Sequence, residues 1–344
     1  MTHNAFSSLM LKLGGDCNLN CPHCHCAVPE YEFRPEILDW IRQRPIKRIT
    51  FNGGEPLMYF ERIKQIVTEL GDRYEYKFVT NGTLLSTEII EFCNDHNITI
   101  VVSYDGKQSG RDNTLQPRWE LLRFARRCAF SVYTSGETNA IKLQEDVDQL
   151  VGGFKIRKAW NKGSIMPNFL HETATTPRRA SISDARDYLR SLARLIELQL
   201  IQYKQTGNLD GKQALVRAVK KWLVPKNFDF GVACCNSDLI TLTVDGRFMI
   251  CPYKPTYCGD IWRGVDVAMI ESHIPEKCRR CSIFNVCRNT CLENTTSHEC
   301  YIAKRLNTHL KVLEAKYEID LVALIKEALQ NPISERWGKQ ICLN

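Results

Sequence analysis

No apolar run in this sequence approaches the ~20 residues that a membrane-spanning helix needs, and Met1–Ser8 has no basic-then-apolar pattern. Together these absences set the expectation of a cytoplasmic chain with no membrane partner. Charge of one sign is not in strong excess: 46 Lys and Arg against 39 Asp and Glu leave a formal +7. That balance permits an acidic peptide or a nucleic acid as partner and demands neither. A disulfide scaffold is not expected either, because sixteen cysteines in a chain of this kind argue for metal. The 344 residues suffice for a sizeable core and two domains, and 44% hydrophobic with 25% charged residues is ordinary for globular proteins.

What the chain has is thiol, and it is clustered. Cys17-Asn18-Leu19-Asn20-Cys21-Pro22-His23-Cys24 places three cysteines within eight residues. A helix or strand at that spacing would scatter them, whereas a loop wrapped around a compact inorganic core brings them to one point. Soft thiolates suit an iron–sulfur cluster, which normally takes four protein ligands. With three, one iron is left open. The residues by themselves leave a zinc loop or buried thiols as the alternative.

Strand-like and helix-like patterns alternate after this loop. Ser8–Leu13, Ile46–Phe51, Tyr76–Thr80, Ile98–Ser103, Phe130–Thr134 and Phe154–Trp160 read as strands. Pro35–Arg42, Phe60–Leu70, Ser86–His96, Arg118–Arg127 and Lys142–Leu150 read as helices between them. Such alternation predicts parallel βαβ units and a partial (β/α)6 TIM-like barrel, with its working face at the C-terminal strand ends. Asn52-Gly53-Gly54-Glu55-Pro56, Asn81-Gly82-Thr83 and Ser103-Tyr104-Asp105-Gly106 all fall at those ends. Paired glycines let backbone come close to a ligand, and a carboxylate beside them suits an ammonium group. Met166–Thr176 reads as irregular, and Ser181–Gln205 and Lys212–Trp222 as helices. Arg186, Arg190 and Arg194 make a ridge on the first of these, most simply a solvated face.

The three-Cys loop resembles that of the radical S-adenosylmethionine (SAM) enzymes, whose signature is Cys-x3-Cys-x2-Cys with an aromatic residue or His before the third Cys; His23 fits. The resemblance implies a [4Fe-4S] cluster on Cys17, Cys21 and Cys24, with SAM on the open iron, cleaved by one electron to methionine and a 5′-deoxyadenosyl radical. It also implies that Gly53-Gly54-Glu55-Pro56 binds the methionyl amino group, and that Asn52, Asn81 and Ser103 lie beside SAM. Arg111 is taken for the carboxylate of SAM.

Nine of the sixteen cysteines lie between Cys234 and Cys300. Cys235-x10-Gly246-x4-Cys251, then Cys278-x2-Cys281-x5-Cys287-x3-Cys291, then Cys300, is similar to the SPASM extension of radical SAM enzymes. That likeness implies two auxiliary [4Fe-4S] clusters, one on Cys278, Cys281, Cys287 and Cys300. The other would take Cys235, Cys251 and Cys291, with Cys234 or Cys258 as fourth ligand, or an open site. The resulting organisation is 1–160 radical SAM barrel, 161–230 helical connection, 231–304 SPASM auxiliary-cluster domain and 305–344 C-terminal helix and tail. Glu271–Lys277 leads into the second cluster loop, and Tyr301–Gln330 reads as helical ahead of a polar tail, Asn331–Asn344, that carries Trp337. Cys93 and Cys128 read as buried hydrophobes and Cys342 as incidental. Cys26 reads as a core thiol and is the candidate hydrogen-atom donor; no carboxylate or His stands out as a general base.

The resemblance implies an enzyme that abstracts hydrogen from a macromolecular substrate, with a flavodoxin- or ferredoxin-type electron donor. Modification of a peptide side chain by oxidation, crosslinking or rearrangement is the first expectation. Sulfatase maturases carry an Asp after the Gly-x4-Cys cysteine, and Pro252 stands there instead. The first cluster Cys comes by residue 17, so no leader-binding domain is expected ahead of it. Radical modification or isomerisation of a nucleic-acid base or its side chain is the alternative, and an iron–sulfur redox sensor the non-enzymatic one.

Overall fold

The computed structural model describes residues 6–21, 24, 26, 28–106, 117–132, 138–154, 181–209, 211–224, 239–251, 255–287 and 297–330. In chain order the elements are β1 (Ser8–Lys12), α1 (Glu36–Arg42), β2 (Arg48–Asn52), α2 (Phe60–Leu70), β3 (Glu75–Thr80), α3 (Thr87–Asp95), β4 (Thr99–Tyr104), β5 (Cys128–Val132) and α4 (Ala140–Gly153). There follow α5 (Ile182–Thr206), α6 (Gln213–Trp222), β6 (Leu239–Thr243), β7 (Arg247–Met249), β8 (Tyr257–Asp260), β9 (Gly264–Val265), α7 (Val267–Ser272), α8 (Glu276–Arg279), α9 (Phe284–Cys287), α10 (Ser297–Tyr317) and α11 (Leu321–Gln330). Local chemistry sets several boundaries. The Ser86 hydroxyl accepts from Ile89 N at the start of α3, and Ser181 and Asp184 form a reciprocal capping box on α5. Gly207, with φ of 62°, ends α5 in the left-handed conformation that glycine adopts without strain.

The nine described strands form one sheet in the order β5-β4-β3-β2-β1-β6-β7-β8-β9. From β5 to β6 every pairing is parallel; β6 to β9 continue as an antiparallel meander. This is the mixed α/β architecture expected of the partial barrel. One face of the parallel strands is apolar throughout: Leu9, Leu11, Ile49, Phe51, Phe78 and Ile240 are fully buried in the core under α1, α2 and α3. By the period-2 alternation of strands the other face carries Met10, Lys12, Thr50, Asn52, Lys77 and Thr241, and is mainly polar. A second core joins α5, α6, α10 and α11, with Leu192, Leu215, Leu306 and Leu321 fully buried in it.

Strand β6 was not foreseen from the sequence. It lies in the second cysteine field, yet pairs in parallel with β1 from Ser8↔Leu239 to Lys12↔Thr243. Gly246 sits in the β6–β7 turn with φ of 90°, and a Cβ there would stand 2.9 Å from the Trp262 ring, which accounts for the glycine of the Gly-x4-Cys spacing.

Arg118–Arg127 is not a helix, contrary to its pattern. A 3-10 turn, Trp119–Phe124, opens there without a side-chain cap, and Asn94 Oδ1 accepts from Arg126 N at 2.7 Å, drawing the chain into β5. The Tyr301–Gln330 region is two helices, because Glu318 (φ 51°) ends α10 and Asp320 Oδ1 accepts from Ala323 N to start α11. The ridge arginines are exposed, with Arg190 paired to Asp187 at 3.6 Å and Arg194 to Glu197 at 3.2 Å on their own helix, as a solvated face requires. Residues 155–160, Met166–Thr176 and Asn331–Asn344 lie outside the described residues.

Candidate active site

The loop after β1 that carries Cys17, Cys21 and Cys24 is held at four points. Gly54 N donates to Gly14 O at 3.0 Å and Glu55 N to Asp16 O at 2.8 Å, so the loop and the β2 end run backbone to backbone. Glu30 Oε1 accepts from Gly15 N at 2.7 Å and Asp16 N at 2.9 Å, and is bonded by the Tyr59 hydroxyl, which also accepts from Asp16 N at 2.9 Å. Between the first two cysteines, Asn18 Nδ2 donates to Thr83 Oγ1 at 2.8 Å and Asn18 Oδ1 accepts from Asn81 Nδ2 at 2.9 Å. Cys24 N donates to Cys21 O at 2.9 Å, closing the last turn. Three strand ends are thus drawn to one rim.

Both glycines of Gly53-Gly54 serve this packing. A Cβ on Gly54 would lie 2.1 Å from Asp16 O, and one on Gly53 would lie 2.7 Å from Gly14 O. The close approach read from the sequence is therefore made first by backbone to backbone. Glu55 is almost fully buried at 1% exposure, and its carboxylate accepts from Leu57 N at 3.0 Å, Thr80 Oγ1 at 2.7 Å and Asn81 N at 2.8 Å. It ties the β2 end to the β3 end. Glu55→Gln keeps the shape but turns one acceptor into a donor facing donors. It is expected to cost about 1–3 kcal/mol in chemical denaturation.

Lys12 is fully buried on the inner face of the sheet. Its ammonium donates to Asn52 Oδ1 at 2.9 Å and stands 3.8 Å from Cys26 Sγ, and the Cys26 thiol donates to Gly53 O at 3.1 Å. Burial pulls the Lys12 pKa down, against the opposing pull of Cys26, Cys251 and Cys24. Cys24 of the first cysteine group and Cys251 of the second therefore both lie within electrostatic reach of one buried ammonium. Cys26 reaches the same network and touches the Gly-Gly motif.

A second group of thiols gathers on short helices. Cys278 on α8 is buried, and its thiol is raised first by that burial and also by Cys300, Cys287 and Cys281, so these four share one neighbourhood. Cys258 is different: it is fully buried in the apolar core, and burial, aided by Asp266, pushes its thiol up to about 12. Cys93 and Cys128 are buried in the same core. Among the described residues no three His, Cys, Asp or Glu side chains converge as a ready-made site for a single metal ion. The donor chemistry of the first loop fits an iron–sulfur cluster: three thiols on one loop, Cys17 and Cys24 exposed, with Cys17 Sγ accepting from Leu19 N at 3.5 Å.

Asn52, Ser103 and Asn81 lie at the strand ends on this rim, Pro56 opens a 3-10 turn (Pro56–Tyr59) behind it, and His23, Arg111, Cys234, Cys235, Pro252, Cys291 and Cys342 lie outside the described residues. Sequence reasoning missed Lys12, Asn18, Glu30, Tyr59 and Thr83. Lys12 left a signal, a lone charge on the opposite parity to Leu9, Leu11 and Leu13; the others left none, since each acts through tertiary contact.

Residues 11–135 match the family profile described as the Radical SAM superfamily. An uncharacterised protein of Methanocaldococcus jannaschii is 31% identical over 109 residues, which cover 28% of this chain and 38% of that protein. The chain spans well under half the length of the curated relatives it matches. Among solved structures, native anSMEcpe with bound AdoMet aligns over 93% of this chain and 99% of its own, at 15% identity and a TM-score of 0.62. SuiB of Streptococcus suis bound to the precursor peptide SuiA aligns over 84% of this chain and 73% of its own, at 17% identity and a TM-score of 0.57. At these identities the likeness is one of fold.

Proposed function

With residues 11–135 a radical SAM domain, we propose that the protein is a radical SAM enzyme of the SPASM type that abstracts hydrogen from a peptide side chain. The observation that carries this reading is the bolting of the three-Cys loop to the β2 and β3 ends through Gly54, Glu55, Asn18 and Asn81. When bound, a [4Fe-4S] cluster on Cys17, Cys21 and Cys24 would supply the electron that cleaves SAM to methionine and a 5′-deoxyadenosyl radical. The chain's own part is to position. The Asn18–Asn81–Thr83 bonds fix the loop against the rim, and the Lys12–Asn52–Cys26 network closes the floor beneath it. Holding the reacting carbon in line while excluding water is where a protein contributes most to such a step.

Cys278, Cys281, Cys287 and Cys300 would hold one auxiliary cluster, a reading supported by their shared neighbourhood. Cys235, Cys251 and Cys291 would hold the other. Its fourth ligand would be Cys234 or Cys258, or the site would be open; Cys258 is fully buried, as Cys251 nearly is. The peptide reading is supported by the fold shared with SuiB, which binds a precursor peptide, and with anSMEcpe, which is also known with the Cp18Cys peptide bound. A flavodoxin- or ferredoxin-type protein would deliver the electron.

The test is anaerobic incubation of the reconstituted protein with dithionite, SAM and candidate peptides, read by mass spectrometry. A peptide mass change that appears together with 5′-deoxyadenosine is the expected result. Absence of 5′-deoxyadenosine under all conditions would favour a redox sensor, and a change only on nucleic acid would move the substrate to that class.

A further inference from the structure

The floor beneath the rim brings an amine and a thiol together. Lys12 Nζ stands 3.8 Å from Cys26 Sγ, and consecutive residues of the β2 end hold the two groups. Asn52 Oδ1 accepts from Lys12 Nζ at 2.9 Å, and Gly53 O accepts from the Cys26 thiol at 3.1 Å. Strand register fixes the first of these bonds, since Lys12 and Asn52 lie opposite each other in the β1–β2 ladder. The pair is set face to face by the backbone of β2, not by a chance approach of two mobile side chains.

Their surroundings differ. Lys12 is fully buried, whereas Cys26 is half-buried. A small oxidant therefore reaches the sulfur, while the amine is shielded from solvent and from larger reagents. Burial also favours the uncharged amine, which is the nucleophilic form. A thiol oxidised to sulfenic acid condenses with the nucleophile nearest to it, a second thiol or a nitrogen. An amine already held beside the sulfur acts at an effective concentration that no free thiol in solution matches.

We propose that Lys12 and Cys26 form a redox-controlled covalent crosslink, a sulfenamide between Nζ and Sγ. The oxidant is a peroxide. It converts the Cys26 thiol to sulfenic acid with release of one water. The Lys12 amine then attacks the sulfur: the S–N bond forms, the S–O bond breaks, and hydroxide leaves with an amine proton as a second water. Sulfur loses two electrons and the peroxide gains them. A thiol reductant reverses the step, returning amine and thiol and itself becoming a disulfide. The bridge closes a ring from Lys12 to Cys26 that contains Cys17, Cys21 and Cys24. The role of that ring, though not the crosslink, rests on the proposed radical SAM reading: it keeps an emptied cluster loop in place under oxidation and frees it when reducing conditions return.

Trypsin reads the bridge directly, because it cuts after Lys12 only when that amine is free. Its next cut falls after Arg42, since Arg34 precedes Pro35. The full, iron-reconstituted chain is divided under nitrogen, one part is treated with a small excess of hydrogen peroxide, and both are unfolded, alkylated and digested. Peptides 1–12 and 13–42 are expected from the untreated part. The treated part is expected to give an uncut 1–42 species, two hydrogens lighter than the open peptide, with Lys12 and Cys26 joined on fragmentation; dithiothreitol should restore the cut. A species heavier than the open peptide by one oxygen less two hydrogens would be the same pair joined through oxygen, formed with a second peroxide, and would support the site. Lys12→Arg and Cys26→Ser chains should be cut at position 12 under both conditions. After treatment, wild type should melt several degrees above the treated Cys26→Ser chain, because the ring constrains the unfolded state. Complete cutting at Lys12 after peroxide, or Cys26 recovered in a disulfide with Cys17, Cys21 or Cys24, would overturn the proposal. A bridge in a chain that never forms 5′-deoxyadenosine would sink the enzymatic reading and leave the crosslink standing; 5′-deoxyadenosine without a bridge would do the reverse.

Discussion

Replacing Cys17, Cys21 and Cys24 together by alanine is expected to abolish 5′-deoxyadenosine formation while removing only about a third of the bound iron, since two further four-iron clusters would remain. The asymmetry is the useful part. The loop is anchored to the rest of the chain through Gly14, Asp16, Asn18 and Glu30, and the Leu19 N–Cys17 Sγ contact within it is long at 3.5 Å, so the variant should fold and melt close to wild type. The complementary variant, with Cys278, Cys281, Cys287 and Cys300 changed to serine, should lose a similar share of iron and still cleave SAM. Iron and sulfide counts with product chromatography decide both. Turnover of a substrate by the first variant would remove the basis of the proposed function.

Gly54→Ala is expected to be nearly as damaging by a different route. The added methyl would stand 2.1 Å from Asp16 O and 2.3 Å from Gly15 O, and both obstructing atoms are backbone. Neither can rotate away as a side chain would, so the loop has to lift off β2 and forfeit the Gly54–Gly14 and Glu55–Asp16 bonds. Overpacking of well-packed cores costs about 1–3 kcal/mol, and the lost bonds add to it. Chemical denaturation should show at least about 3 kcal/mol of destabilisation, with SAM binding lost by equilibrium dialysis. Gly152→Ala is the control: near the end of α4, with nothing within 4 Å of its added Cβ, it should stabilise by a few tenths to about 1 kcal/mol. Equal behaviour of the two variants would mean that the glycine contact is not tight.

The parallel half of the sheet was legible because its helix face repeats faithfully: Leu9 and Leu11, Ile49 and Phe51, Tyr76 and Phe78, Ile100 and Val102 alternate with smaller or polar residues. The strand ends could be read because glycine, often with Asn or Asp beside it, follows β1, β2, β3 and β4. Strand β6 escaped although Ile240-Thr241-Leu242-Thr243 alternates apolar and polar residues, because it is short, lies within the second cysteine field, and its partner, β1, lies more than two hundred residues earlier. The Arg118–Arg127 turn misled because its helical spacing of apolar residues was overruled by the demand of β5 to begin at Cys128. In the site, the thiol spacings announced themselves, whereas Glu30, Tyr59 and Asn18 become meaningful only once distant segments meet.

Strand β1, which delivers the cluster loop, has β2 on one side and β6 on the other. On a ribosome that neighbour does not exist until most of the chain has been made. Until then β1 carries an unpaired edge, open to the wrong strand or to a second chain. On the proposed reading, assembly of an iron site on the first cysteine loop would wait for the second cysteine field, and a chain truncated before residue 239 should aggregate instead of yielding a smaller working barrel.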